Sequence, residues 1–176
     1  QIALGSISIL FIYLIGRDIF NKKVALIAAV ISIFYPVSIF FESQYAVEGL
    51  CVPLVPIMLY IFLRFDKEYR QSYLFCGSLL FAIITLGRPN FLLFLPFIFM
   101  WLIFNRANNK RMFSVVVAGI TVITMFLPVL IKNYKDSGDF ILISNNGGVT
   151  FYSSNNKEAL GGFVPLLKIS SNLKDV

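Results

Sequence analysis

The sequence predicts an all-α polytopic transmembrane bundle. About six spans are followed by the start of a small external segment with some β character. Three observations carry this. The chain is 58% hydrophobic with a mean hydropathy of +0.82, well above a soluble domain. Its apolar runs are continuous and do not alternate with polar residues as barrel strands would. Backbone at bilayer depth must satisfy its own hydrogen bonds, so such runs imply helices. Finally, the basic residues collect on alternate linkers.

The predicted spans are residues 1–15, 24–41, 46–63, 72–86, 90–104 and 112–131. Several fall short of the ~20 residues a straight crossing needs, which places some turns below the membrane surface. The first run has no basic stretch before it and is followed by further spans, so it is not a cleavable signal. The chain opens inside an apolar run, and the expectation is a fragment of a longer protein. Tyr35-Pro36 is a kink candidate in the second span. Pro53, Pro56 and Pro128 fall within or near spans, where proline is tolerated.

Charge supplies the orientation. The linkers "GRDIFNKK", "RFDKEYRQ" and "NRANNKR" hold Arg17, Lys22, Lys23, Arg64, Lys67, Arg70, Arg106, Lys110 and Arg111. These are nine of the fifteen basic residues. The other two linkers, "ESQYAVE" and "GRPN", contribute only Arg88. The positive-inside rule puts the first three in the cytoplasm and the other two outside. The net charge of +6 is therefore a topology signal and calls for no nucleic acid. The expected division is 1–131 as membrane region and 132–176 as an external loop or the start of a soluble domain. The location is a cytoplasmic (inner) membrane, in contact with its lipids. In the external part, "DFILIS" and "VTFYS" have strand-like composition around an "NNGG" turn.

Histidine is absent, which excludes His-based nucleophile activation, proton relay and His metal ligands from this segment. Cys51 and Cys76 fall in different spans and are expected as small buried apolar residues. Trp101, near the inner end of its span, fits the interfacial aromatic belt.

The remaining polar residues gather on the outward side. Glu42 and Glu48 flank the first outward turn, Arg88 occupies the second, and Lys132 and Asn133 follow the last span. Charges beside apolar spans are costly and usually face a cavity or a partner, so this set predicts an outward-opening polar cavity. Two roles fit Arg88. It is either a bidentate phosphate ligand held below headgroup level or an interfacial arginine snorkelling to lipid phosphates. Glu48 is either a cavity carboxylate or an acid stabilising a helix N-terminus. Glu42 has the more exposed setting and the weaker claim.

Taken in order, the stretches "LIGRDIFNKKVALIAAVISIFYP", "FFESQYAVEGL", "LGRPNFLLFLP" and "LPVLIKNYKDSGDFILISNNGGVTFYSSNN" resemble a bacterial membrane glycosyltransferase pattern. The family is the C-type (GT-C) superfamily, in the branch of protein O-mannosyltransferases and aminoarabinose transferases. Its pattern runs from a Gly-Arg-x-x-Phe turn and a Tyr-Pro span to an acidic outward turn and Thr-Arg-Pro. An Arg-Asn then leads to Ser-Thr-Asn-Gly-Gly. Here Val47 precedes the acid where Thr is common, Gly87 replaces the Thr before Arg-Pro, Lys132 replaces the Arg of Arg-Asn, and "ISNNGG" stands for the last motif. The charge types survive.

The resemblance implies transfer of a sugar from a polyprenyl-phosphate donor to a lipid, protein or glycan acceptor outside the membrane. It implies donor-phosphate binding by Arg88 and Lys132, and a pocket formed by Glu48, Glu42, Asn133 and Asn146. The catalytic aspartate of such enzymes belongs to a first external loop, expected before Gln1. Some C-type enzymes use a divalent metal, for which no ligand set is legible here. The competing expectations are a transporter or flippase for lipid-linked sugars and a non-catalytic membrane scaffold.

Overall fold

A computed structural model describes residues 1–44, 46–105, 110–143, 151 and 155. Seven α-helices have their bounds among the described residues: α1 (Ile2–Ile19), α2 (Lys22–Ile33), α3 (Pro36–Ser43), α4 (Glu48–Glu68), α5 (Gln71–Gly87), α6 (Leu95–Phe104) and α7 (Arg111–Ser137). A 3-10 stretch, Pro89–Phe94, leads into α6. The described residues contain no strand.

The six apolar stretches are thus all helical, but they differ in what they can span. By length and hydropathy α1, α4 and α7 are each sufficient to cross a membrane. A fourth crossing exists if α2 and α3, bent by 49°, count as one span. The bend falls at Phe34–Tyr35, where Pro36 takes the first position of α3. Proline there lacks an N–H that would be unpaired anyway, so it restarts the helix cheaply. Helix α5 has only 17 residues and α6 only 10.

Packing orders the helices as α2–α1–α4–α5–α7–α6, each touching the next. The core lies on the α4–α5–α6–α7 side, where Phe65, Leu74, Ala82, Ile84 and Leu102 are wholly buried. Trp101 is not simply a belt residue. Its ring stands edge-on to Phe65, with centroids 5.8 Å apart, and to Phe62 at 6.1 Å, an arrangement that suits the ring quadrupoles. Phe97, Ile120 and Met112 point outward and are mostly exposed, as expected when the solvent is lipid. Cys51 is buried as expected, whereas Cys76 is exposed, and both are free thiols.

One end of the bundle is tied by polar bonds. Lys67 Nζ lies 2.8 Å from Asp18 Oδ2, joining the end of α4 to the end of α1. Asn105 donates to Asp66 Oδ1 at 2.7 Å, and Gln71 donates to Ser114 Oγ at 3.0 Å. Asn21 caps α2 by accepting from the Val24 N–H at 3.0 Å. The charged linkers, mostly a topology signal in the sequence, thus also latch helices through Lys67, Asp18 and Asp66.

Helix α7 runs on to Ser137, so Lys132 and Asn133 lie on the helix beyond the predicted span. One expectation needs correction. Residues 139–143, expected as strand-like, form bends and irregular backbone. The Asn133 side-chain amide donates to the carbonyls of Ile141, at 2.9 Å, and Ile143, at 3.4 Å. Groups that a partner strand would have satisfied are met by a helix side chain. The "NNGG" turn and most of "VTFYS" lie outside the described residues.

Candidate functional site

Opposite the latched end, Gly87 ends α5 against the first turn of α4. A Cβ at position 87 would come within 2.6 Å of Cys51 Sγ and 2.9 Å of Val47 Cγ1. Only a glycine lets the two helix ends meet this closely. The chain then turns sharply: Arg88 leaves the helix with φ −137° and ψ 89°, a non-helical conformation favoured before Pro89. Its N–H still reaches Ile84 O at 2.8 Å. The turn therefore aims the Arg88 side chain back over the start of α4.

Glu48, the first residue of α4, meets it. Arg88 Nη2 and Glu48 Oε1 form an ion pair, with the two side chains 42% and 28% exposed. Glu48 also occupies the position where a carboxylate complements the helix dipole. Pairs this open contribute about 0.2–1 kcal/mol to stability. The pair matters more for where it holds the guanidinium than for holding the fold. Of the five N–H donors on an arginine, those on Nε and Nη1 have no partner among the described residues.

The other candidates are distributed around this pair. Helices α5 and α7 pack together, with Gln71 and Ser114 bonded near their starts. Ser114 to Lys132 and Gln71 to Arg88 are stretches of nearly equal length, so both cations reach the same end. Lys132 is exposed and forms no ion pair with Glu48 among the described residues. Asn133 is committed to the backbone after α7. Asn146 lies outside the described residues.

Glu42 belongs to a different feature. Its carboxylate packs directly over Gly5 of α1, in space that a Cβ would fill. It lines a cleft of about 450 Å³ between α1, α2, α3 and α4. Ser6, Ser8, Ser32, Tyr35 and Ser38 supply further polar groups, while Ile9, Ile12, Pro53 and Pro56 form the apolar part. The serines were not singled out in the sequence. The available signal was four hydroxyls placed within runs otherwise nearly all aliphatic or aromatic.

A C-type enzyme could require a metal, but among the described residues no three His, Cys, Asp or Glu side chains converge. Glu42 and Glu48 serve separate features.

A polytopic helical membrane protein with an arginine–glutamate pair at a Gly-Arg-Pro turn is the class that fold and site define. Residues 1–131 match the family model described as dolichyl-phosphate-mannose-protein mannosyltransferase. The chain belongs to that family, and it is a membrane glycosyltransferase of the GT-C type. No curated protein and no solved structure matches it.

Proposed function

We propose that the protein moves a sugar from a polyprenyl-phosphate donor to a lipid, protein or glycan acceptor on the outer face of the cytoplasmic membrane. The observation that carries this is the Arg88–Glu48 pair, with free guanidinium donors at the end of a short helix. Glu48 steadies one edge of the fork, and the remaining edge takes two phosphate oxygens. When the acceptor hydroxyl attacks the anomeric carbon, the bond to the polyprenyl phosphate breaks and negative charge grows on the leaving oxygens. A cation fixed in advance stabilises that charge. Lys132, at the same level, adds a second positive charge.

The membrane frame fits. Six crossings, with α2–α3 as one and Pro89–Phe104 as another, alternate the basic linkers to the cytoplasm as charge bias requires. Residues 132–176 then fall outside. Helix α5 rises only about 26 Å against a hydrocarbon core of about 30 Å. Arg88 is thereby drawn to the depth where a lipid-linked phosphate travels.

The test uses the full-length protein in membranes with a radiolabelled polyprenyl-phosphate sugar, comparing wild type with Arg88→Ala at matched expression. Transfer by wild type and its loss in the variant are expected. Equal transfer by both leaves the enzyme but makes Arg88 a lipid anchor. No transfer from a panel of such donors moves the transporter reading forward; the broken α2–α3 span is the feature that reading would use.

A further inference from the structure

The α1–α4 cleft is not part of the Arg88–Glu48 pair, and its electrostatics differ. Glu42 is the one charged side chain on its wall, and among the described residues it has no ion-pair or hydrogen-bond partner. Three of the four serine protons are already committed, Ser6 donating to Ile2 O at 3.0 Å. Ser8 donates to Gly5 O at 2.7 Å and Ser32 to Ala28 O at 2.8 Å, each within its own helix. A hydroxyl whose proton is spent this way offers a ligand only lone pairs. Tyr35 and Ser38 are the hydroxyls on this wall with a proton to give. The polar end thus carries one negative charge and an excess of acceptors, and it continues into an apolar end.

We propose that this cleft binds an amphiphile whose headgroup is rich in hydrogen-bond donors and bears no negative charge: an ammonium or a polyol on an apolar chain. The ammonium or hydroxyl protons meet Glu42 and the Ser8 and Ser32 oxygens, and the chain lies along the aliphatic wall. A phosphate head is disfavoured, because it would bring a second anion and acceptors of its own to a wall short of donors. The cleft is therefore separate from the donor-phosphate position at Arg88. It stands whether or not the sugar-transfer reading does, because its test measures occupancy and not transfer.

The experiment is photo-crosslinking of the full-length protein in phosphatidylcholine nanodiscs. Three diazirine probes share a twelve-carbon chain and carry an ammonium, a glycerol or a phosphate head. Expected is labelling of α1 and α3 peptides by the ammonium and glycerol probes at least fivefold above the phosphate probe. Glu42→Gln keeps an acceptor and loses the charge, so ammonium labelling falls at least fivefold while glycerol labelling stays within twofold. Glu42→Leu lowers both, and Arg88→Ala changes neither. If Glu42→Leu does not fold, competition by unlabelled dodecylammonium against both probes in wild type replaces it. The proposal is overturned if the phosphate probe labels the cleft as strongly as the others. Label spread evenly over lipid-facing helices, or ammonium labelling unmoved by Glu42→Gln, overturns it equally.

Discussion

Gly87 and Cys51 approach so closely that a methyl group on one would collide with the sulfur of the other: the Cβ would lie 2.6 Å from Sγ. That contact sets the distance between the end of α5 and the start of α4, and hence the reach of Arg88 to Glu48. Gly87→Ala gains up to about 1 kcal/mol of helix propensity, but overpacking a buried contact costs about 1–3 kcal/mol. The expected result is a lower melting temperature in detergent and a larger loss of sugar transfer. Cys51→Ala in the same chain removes the sulfur and restores part of both. A double variant no better than Gly87→Ala would mean that Val47 holds the two ends apart.

The pair itself gives a second prediction. Arg88→Lys keeps the charge and loses the planar fork, so transfer falls about 10- to 100-fold, while Arg88→Ala falls about 100- to 1,000-fold, as for loss of a preorganised charge-stabilising group. Glu48→Gln keeps a hydrogen bond and frees more of the cation, so its effect stays below about tenfold. Initial rates against donor concentration check this. Full activity in the Arg88→Lys variant would reduce Arg88 to a point charge.

Much of this arrangement was legible beforehand. Apolar run length and linker charge marked α1 to α7, with α2 and α3 as one run, and the Tyr35-Pro36 break followed from proline's missing N–H and fixed φ. Family membership followed from the order of short motifs. The partner of Arg88 was not legible, because nothing local in "LGRPN" says which of two outward glutamates it will meet. The Gly87–Cys51 approach decides that, and it is a tertiary contact between residues 36 positions apart. The continuation of α7 past residue 131 was not legible for a related reason. Lys132 and Asn133 look like loop residues until Asn133 is seen gathering the backbone that follows.

Asn133 therefore tests a structural role. Asn133→Ala removes both bonds to the Ile141 and Ile143 carbonyls, at a cost of about 1–3 kcal/mol if those acceptors stay dry. Limited proteolysis should cut within residues 138–143 several times faster, with helix content unchanged by circular dichroism. Protection equal to wild type would show that these carbonyls find other partners, and Asn133 would then be available to the pocket.

The orientation can be checked without any activity. In a chain with Cys51→Ala and Cys76→Ala, single cysteines are placed at Gln44, Gly138, Phe20 and Lys110. The basic linkers fix the sign: Phe20 and Lys110 lie beside clustered Arg and Lys, which resist translocation, while Gln44 lies beside Glu42. Gly138 already has the left-handed φ of 77°, where any side chain is strained, so that site is read only if the variant keeps its wild-type melting behaviour. A membrane-impermeant maleimide added to intact cells should label Gln44→Cys and Gly138→Cys, and should reach the other two only after permeabilisation. Labelling of Gln44 and Gly138 from opposite sides would remove one crossing between them. The shortest candidate is α6 with its 3-10 lead-in, and Arg88 would then lie at the mouth of a re-entrant turn.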